Sequence, residues 1–235
     1  MKELLYNTAL ETGINLTDIQ LEKFQIYYNL LIETNKVMNL TSITEEKDVV
    51  LKHFIDSLAI KNYIDISNGR VIDIGTGAGF PGIPLAIIYN DTQFTLMDSL
   101  NKRINFINTV MEECKLYNIE TVHSRAEDLG HNNVYREKYD YCVSRAVAAI
   151  PVLLEYCIPF LKTGGKFISY KSEKAEEEIS LSGNAQKKLG CRFDKLYSFD
   201  LPGTDISRKF VVFEKIKTTN RAYPRQAGKP KRSSL

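Results

Sequence analysis

Val71-Ile72-Asp73-Ile74-Gly75-Thr76-Gly77-Ala78-Gly79-Phe80-Pro81-Gly82 is the stretch on which the fold turns. A short apolar run with strand character enters a turn built on alternate glycines. An apolar segment, 83–89, then continues with helical composition. In open α/β sheets, ligands bind at the carboxyl ends of the strands, where glycines let backbone approach them closely. Outward from this point the texture repeats. Apolar runs at 71–74, 94–97, 121–123, 139–144 and 166–170 alternate with amphipathic stretches such as 103–115 and 151–161. Strands separated by helices predict parallel βαβ units. Two further runs, 195–199 and 210–213, flank only a short segment containing Pro202-Gly203, which suits a hairpin. The expected fold class is therefore α/β and Rossmann-like. Its mostly parallel sheet ends in an antiparallel hairpin.

Residues 1–64 read as helical. Thr17 is the expected N-cap, with Leu21, Phe24, Tyr28 and Leu31 at helical spacing behind it. After a polar break at 39–43, Thr44 is expected to cap a second run with Val50, Phe54 and Leu58 on one face. The division this predicts is an N-terminal helical segment (1–64), an α/β core (65–214) and a basic C-terminal tail (215–235).

Composition excludes several classes. Of 235 residues, 43% are hydrophobic and 26% charged, ordinary for a globular chain. The longest unbroken apolar run contains a proline and falls far short of the roughly 20 residues that span a bilayer. The N-terminal residues carry an early acid and no long apolar stretch, unlike a signal peptide. Cys114, Cys142, Cys157 and Cys191 form no C-x-x-C pair, and His53, His123 and His131 form no H-E-x-x-H. Neither a disulfide scaffold nor a metal site is expected, and a reducing cytoplasm is the natural setting.

Charge is unevenly placed. Lys215, Lys217, Arg221, Arg225, Lys229, Lys231 and Arg232 lie in a C-terminal stretch with no acid. Without those seven, 24 basic residues face 29 acids, a net charge of −5 for residues 1–214. An acidic body with a basic tail points to an acidic partner, with nucleic acid the first candidate. A solvated terminus is the plain alternative. Tyr223 among arginines favours RNA, since an aromatic ring stacks on a base.

Two cofactor classes compete for the glycine turn. Gly77-x-Gly79-x-x-Gly82 satisfies the dinucleotide fingerprint formally. However, Pro81 offers no N–H where a pyrophosphate needs donors. Asp73 places an acid just before the first glycine. That repels a diphosphate and suits the sulfonium and ammonium of S-adenosylmethionine. A nicotinamide site, or a glycine turn with no ligand, are the alternatives. Asp98 ends the next strand, about 20 residues on, where an acid can accept hydrogen bonds from ribose hydroxyls in either class. It equally suits a helix cap. Ala126-Glu127 follows the third strand, where an adenine edge would lie.

With these residues in place, the chain resembles the class I S-adenosylmethionine-dependent methyltransferases. More narrowly it resembles the RsmG family, also called glucose-inhibited division protein B. The matching segments are 39–43, His53-Phe54-Ile55-Asp56-Ser57-Leu58, 71–84, Asp98-Ser99-Leu100-Asn101-Lys102-Arg103, Arg125-Ala126-Glu127, Ser144-Arg145-Ala146-Val147-Ala148 and 223–230. They span nearly the whole chain. Departures fall at Gln226, at Ser172 and in the terminal Ser233-Ser234-Leu235. The resemblance implies methylation of guanine N7 in small-subunit (16S) ribosomal RNA. It also implies cofactor contacts at Gly75, Phe80, Asp98, Ser99, Leu100, Ala126, Glu127 and Arg145. Asp73, Gly77 and Gly79 join them from the loop itself.

Guanine N7 has an exposed lone pair and no proton to lose, so its methylation needs no general base and no covalent nucleophile. The sequence agrees, with no Asp/Asn-Pro-Pro-aromatic segment and no Pro-Cys nucleophile. Arg145, Lys171 and Arg208 are the candidate cations for fixing the base near guanine O6. His53 and Asp56, one turn apart, are expected to pair structurally or touch RNA. The rivals are a small-molecule methyltransferase and a non-catalytic RNA-binding protein with a vestigial loop.

Overall fold

The computed structural model describes all 235 residues. The chain opens with α1 (Lys2–Glu11) and α2 (Asp18–Met38). Thr17 caps α2 in a reciprocal box. Its Oγ accepts the Gln20 N–H at 3.3 Å, and the Gln20 side-chain oxygen accepts the Thr17 N–H at 3.0 Å. Two orphan donors of the first turn are thereby satisfied. Leu21, Phe24 and Leu31 are buried, but Tyr27 fills the stripe in place of the expected Tyr28. The reason is polar: the Tyr27 hydroxyl donates to the Ala78 carbonyl at 2.6 Å, so the ring can be buried without an unpaired group.

The second run is less regular than its spacing implies. It comprises α3 (Glu46–Val49), a π-helical turn (Val50–Ile55) and α4 (Asp56–Leu58), and closes with a 3₁₀ turn, Ala59–Asn62. Val50, Phe54 and Leu58 are buried as expected. Thr44 does not cap it, because α3 begins one residue later, with Glu45 at the cap position and no side-chain cap bond.

Next come β1 (Arg70–Ile74), α5 (Gly82–Ile88), β2 (Gln93–Asp98), α6 (Asn101–Glu113), β3 (Ile119–His123) and α7 (Ala126–Leu129). They are followed by β4 (Tyr139–Arg145), α8 (Ile150–Cys157), β5 (Leu161–Lys171), α9 (Ala175–Ser180) and α10 (Gly183–Leu189). The chain finishes with β6 (Cys191–Asp200), β7 (Ser207–Lys215) and α11 (Lys229–Arg232). The seven strands form one sheet in the order β3-β2-β1-β4-β5-β7-β6. Pairings among β1 to β5 are parallel, and β7 runs antiparallel to both β5 and β6. Each strand read from the sequence lies inside an observed one, and the final hairpin is present. Lys215, assigned to the tail on charge alone, is the last residue of β7 and is buried.

Side chains alternate across the sheet. Val71, Phe94, Val143 and Val212 face α2, α5 and α6, where a 39-residue core includes Leu5, Phe24, Tyr27 and Phe54 of the N-terminal helices. Ile72, Cys142, Val211 and Phe213 face α8 and α10 in a second core of 21 residues. The strand order reverses between β1 and β4. In doubly wound sheets the ligand crevice opens at such a switch point.

Candidate cofactor and substrate site

The glycine turn between β1 and α5 satisfies most of its own amides. Gly75 and Thr76 donate to the Met97 carbonyl, at 2.9 and 3.0 Å. Gly79 and Phe80 both donate to the Thr76 carbonyl at 2.9 Å. Gly77 donates to Asp98 Oδ2 and Gly82 to Asp73 Oδ2, both at 3.0 Å. Pro81 has no N–H. No cluster of free donors is left for a diphosphate. Three glycines are sterically required, among them Gly79, where φ is +100° and a Cβ would lie 2.3 Å from Ile83. A Cβ on Gly75, whose φ is +72°, would lie 2.6 Å from Val147, and one on Gly82 would lie 2.2 Å from Leu96.

Asp73 lies wholly buried beneath this turn, with one carboxylate oxygen unpartnered. Burial pushes its pKa up to about 7, against the opposing hydrogen bond from Gly82. When ionised it puts a negative charge under the loop, which suits a cationic ligand. The self-satisfied amides and this buried acid both fit S-adenosylmethionine better than a dinucleotide.

Beside the loop lies a cavity of about 470 Å³, bordered by Gly75, Asp98, Ser99, Ala126, Glu127 and Tyr156. Of the residues predicted to hold the cofactor, the structure therefore brings together Gly75, Asp98, Ser99, Ala126 and Glu127. Asp73, Gly77, Gly79, Phe80, Leu100 and Arg145 do not border this cavity. Asp98 is held rigidly: Oδ1 accepts the Leu100 N–H at 2.9 Å, and Oδ2 also accepts from Arg103 at 3.2 Å. Asp98 is not the helix cap the sequence allowed, since Leu100 holds the cap position of α6 with no side-chain cap bond. Phe80 is buried, packing against Tyr27 and stacking on His53 with ring centres 4.4 Å apart.

A second cavity, about 550 Å³, adjoins the first at Ala146, which borders both. Its lining includes His53, Asp56, Arg145, Lys171 and Arg208, so all three predicted cations converge here. Asp56 joins two of them, accepting from Arg145 Nη1 at 2.9 Å and from Arg208 Nε at 3.1 Å. Arg145 also donates to the Lys52 carbonyl and to His53 Nδ1, both at 3.0 Å, and its guanidinium lies over Phe80. Because arginine only donates, His53 Nδ1 is an acceptor, and Nε2–H must donate to Thr41 Oγ, 2.9 Å away. Burial, then the adjacent Arg145 charge, lower the His53 pKa to about 3. A neutral imidazole locked between two partners is a spacer, not a proton shuttle. Lys171 donates to the Ala148 carbonyl and pairs with Glu178, each at 2.7 Å. Ala146, at the junction of the cavities, has φ +58°, a strained value for a residue with a Cβ.

Sequence reasoning missed Tyr27 and the C-terminal residues Gly228 and Lys231, which border the first cavity. Their contacts cross large separations in the chain, so no local pattern encodes them. No group of His, Cys, Asp and Glu side chains is arranged to hold a metal ion.

Sheet order, loop and paired cavities together define a class I S-adenosylmethionine-dependent methyltransferase. Solved structures of that class share the fold. An M. jannaschii TYW2 in complex with AdoMet superposes with a TM-score of 0.57, 18% identity and coverage of 74% of this chain and 80% of that one. An Aquifex aeolicus SAM-dependent methyltransferase gives 0.57 with 15% identity, covering 76% and 97%. The family model described as rRNA small subunit methyltransferase G matches residues 20–201. Proteins named ribosomal RNA small subunit methyltransferase G are close in sequence. The one from Acetivibrio thermocellus is 46% identical over all of this chain and 97% of its own length. The one from Lachnoclostridium phytofermentans is 49% identical over 95% of this chain and 93% of its own. The chain belongs to the rRNA small subunit methyltransferase G family.

Proposed function

We propose that this protein is an S-adenosylmethionine-dependent methyltransferase acting on small-subunit ribosomal RNA in the cytoplasm, with N7 of one guanine as the target. The observation that carries this is the pair of adjoining cavities. One is bordered by Asp98 and Glu127 beside the glycine loop, and the other by Arg145, Lys171 and Arg208. S-adenosylmethionine, when bound, supplies an electrophilic methyl group. Gly75, Asp98, Ser99, Ala126 and Glu127 would hold it.

The chain's own work is placement. N7 needs no deprotonation, and the buried titratable groups of the second cavity are engaged: His53 is neutral and bonded at both ring nitrogens, and Asp56 is bound by two arginines. Orienting two reactants contributes up to about 7–11 kcal/mol to lowering a barrier. Of the three cations, Arg145 is held by Asp56, His53 and the Lys52 carbonyl, and Lys171 is paired with Glu178. Arg208 meets Asp56 through Nε alone, so its Nη2 remains available for guanine O6. Arg145 then acts by positioning Asp56 and Phe80. No helix is long and apolar enough to cross a membrane.

The test is tritiated methyl transfer to ribosomal RNA and to small subunits, followed by mapping of the modified base. Label in a guanine of small-subunit RNA is the expected result. Transfer to metabolites in the absence of RNA would support a small-molecule enzyme instead. The absence of any heat on titration with S-adenosylmethionine would support a non-catalytic RNA binder.

A further inference from the structure

The last residues of the chain are built into the body. Arg136, buried, donates to the carbonyls of Gly130 (2.7 Å), Tyr223 (2.8 Å), Thr219 (2.8 Å) and Asn220 (3.3 Å). His131 Nε2 donates to the Pro224 carbonyl at 2.7 Å. Gly130 lacks the Cβ that would lie 2.6 Å from Pro224. Arg225 grips the wholly buried Glu155 through its backbone N–H, Nε and Nη2, and Nη2 also donates to the Ser233 carbonyl at 2.8 Å. This scaffold delivers Gly228 to Glu127: the Gly228 N–H donates to Glu127 Oε1 at 2.9 Å. Gly228 and Lys231 thus become part of the cofactor cavity's border, together with Gly75 of the β1 loop that the sequence singles out.

We infer that the C-terminal segment 223–232 is a wall of the cofactor site, and that Gly228 is a positioning residue that orients Glu127 for the ribose and adenine of S-adenosylmethionine. A carboxylate with one oxygen tied to a fixed N–H presents the other in one direction, lowering the ordering cost when the ligand arrives. The coupling is reciprocal, so cofactor holds the segment in place as the segment holds the cofactor. The same segment carries the exposed cations Lys229, Lys231 and Arg232, so its order also sets where those charges stand. The inference rests on the cofactor assignment above and needs no RNA for its test.

Calorimetric titration of the full-length protein with S-adenosylmethionine reads the effect directly. Gly228→Pro removes the N–H and also forbids the φ of +81° that aims it, and should weaken binding about tenfold or more, the scale of a lost charge-assisted hydrogen bond. Gly228→Asn keeps the donor in a residue type that tolerates the left-handed φ of +81° found there, and should recover most of the affinity. In a Glu127→Ala background, Gly228→Pro should weaken binding no further, which a merely structural role would not produce. On the unmodified protein, saturating cofactor should slow tryptic cleavage after Arg221 and Arg225. Equal affinity of Gly228→Pro and wild type overturns the inference, as does cleavage at one rate with and without cofactor. A wild-type chain that takes up no S-adenosylmethionine overturns the cofactor assignment and this inference together.

Discussion

Asp73 and Tyr27 act on the glycine loop from below and from the side. Asp73 has a folded pKa of about 7 against an ordinary value of 3.8. Between those values the folded state keeps a proton that the unfolded chain has lost. Stability therefore falls as pH rises from about 4 to about 7, by at most about 1.4 kcal/mol per pH unit. His53 has the opposite sign. Its folded pKa is about 3 against 6.5, so in that window the unfolded chain binds the extra proton and stability rises with pH. The wild-type profile sums the two, and a variant separates them. Asp73→Asn should gain on wild type steadily from pH 4 to 7 in urea midpoints, while binding S-adenosylmethionine more weakly at pH 8. Parallel profiles for the two proteins would refute the role given to burial. Tyr27→Phe leaves the buried Ala78 carbonyl without its donor. It should cost about 1–3 kcal/mol in the same assay, together with a measurable loss of cofactor affinity, because Ala78 lies in the loop.

Elements were legible where their pattern is local. Short apolar runs marked every strand, Thr17 marked the start of α2, and the glycines of 75–82 marked the turn. Legibility ended where a side chain reaches across the fold. Arg208 and Asp56 are 152 residues apart in the chain, and Tyr27 and Ala78 are 51 apart. Tyr28 and Thr44 were misassigned because spacing places a residue to within about a turn, while a hydrogen bond or the true start of a helix selects the residue. The C-terminal segment is the largest such case: its charge reads as a basic tail that meets RNA, yet Arg225 is spent on Glu155. Glu155 is wholly buried, so Arg225→Ala would strand its charge. A loss of about 3–5 kcal/mol is expected, read as a lowered thermal midpoint. Replacing both residues by apolar ones of similar volume should recover much of it. A single variant that melts with wild type would remove the segment's claim to be part of the folded body.

At the scale of the whole molecule, the basic C-terminal stretch divides into charges that fold the chain and charges that face outward. Lys215 is buried against Glu137 at 2.7 Å and Arg225 against Glu155 at 2.6 Å. Lys217, Arg221, Lys229, Lys231 and Arg232 are exposed, and Lys231 also borders the cofactor cavity. Removing everything beyond Glu214 would confuse the two groups, since it takes away Lys215 and leaves Glu137 and Glu155 without partners. Substituting Lys217, Arg221, Lys229 and Arg232 by glutamine keeps the scaffold and the cavity intact. Each phosphate neutralised on single-stranded RNA contributes about 0.7 to the slope of log affinity against log salt. If all four meet phosphates, the slope should flatten by about 3, with S-adenosylmethionine affinity and thermal midpoint unchanged. RNA binding measured across a salt series decides it. A slope equal to that of wild type would mean that the outward charges of this stretch do not touch RNA.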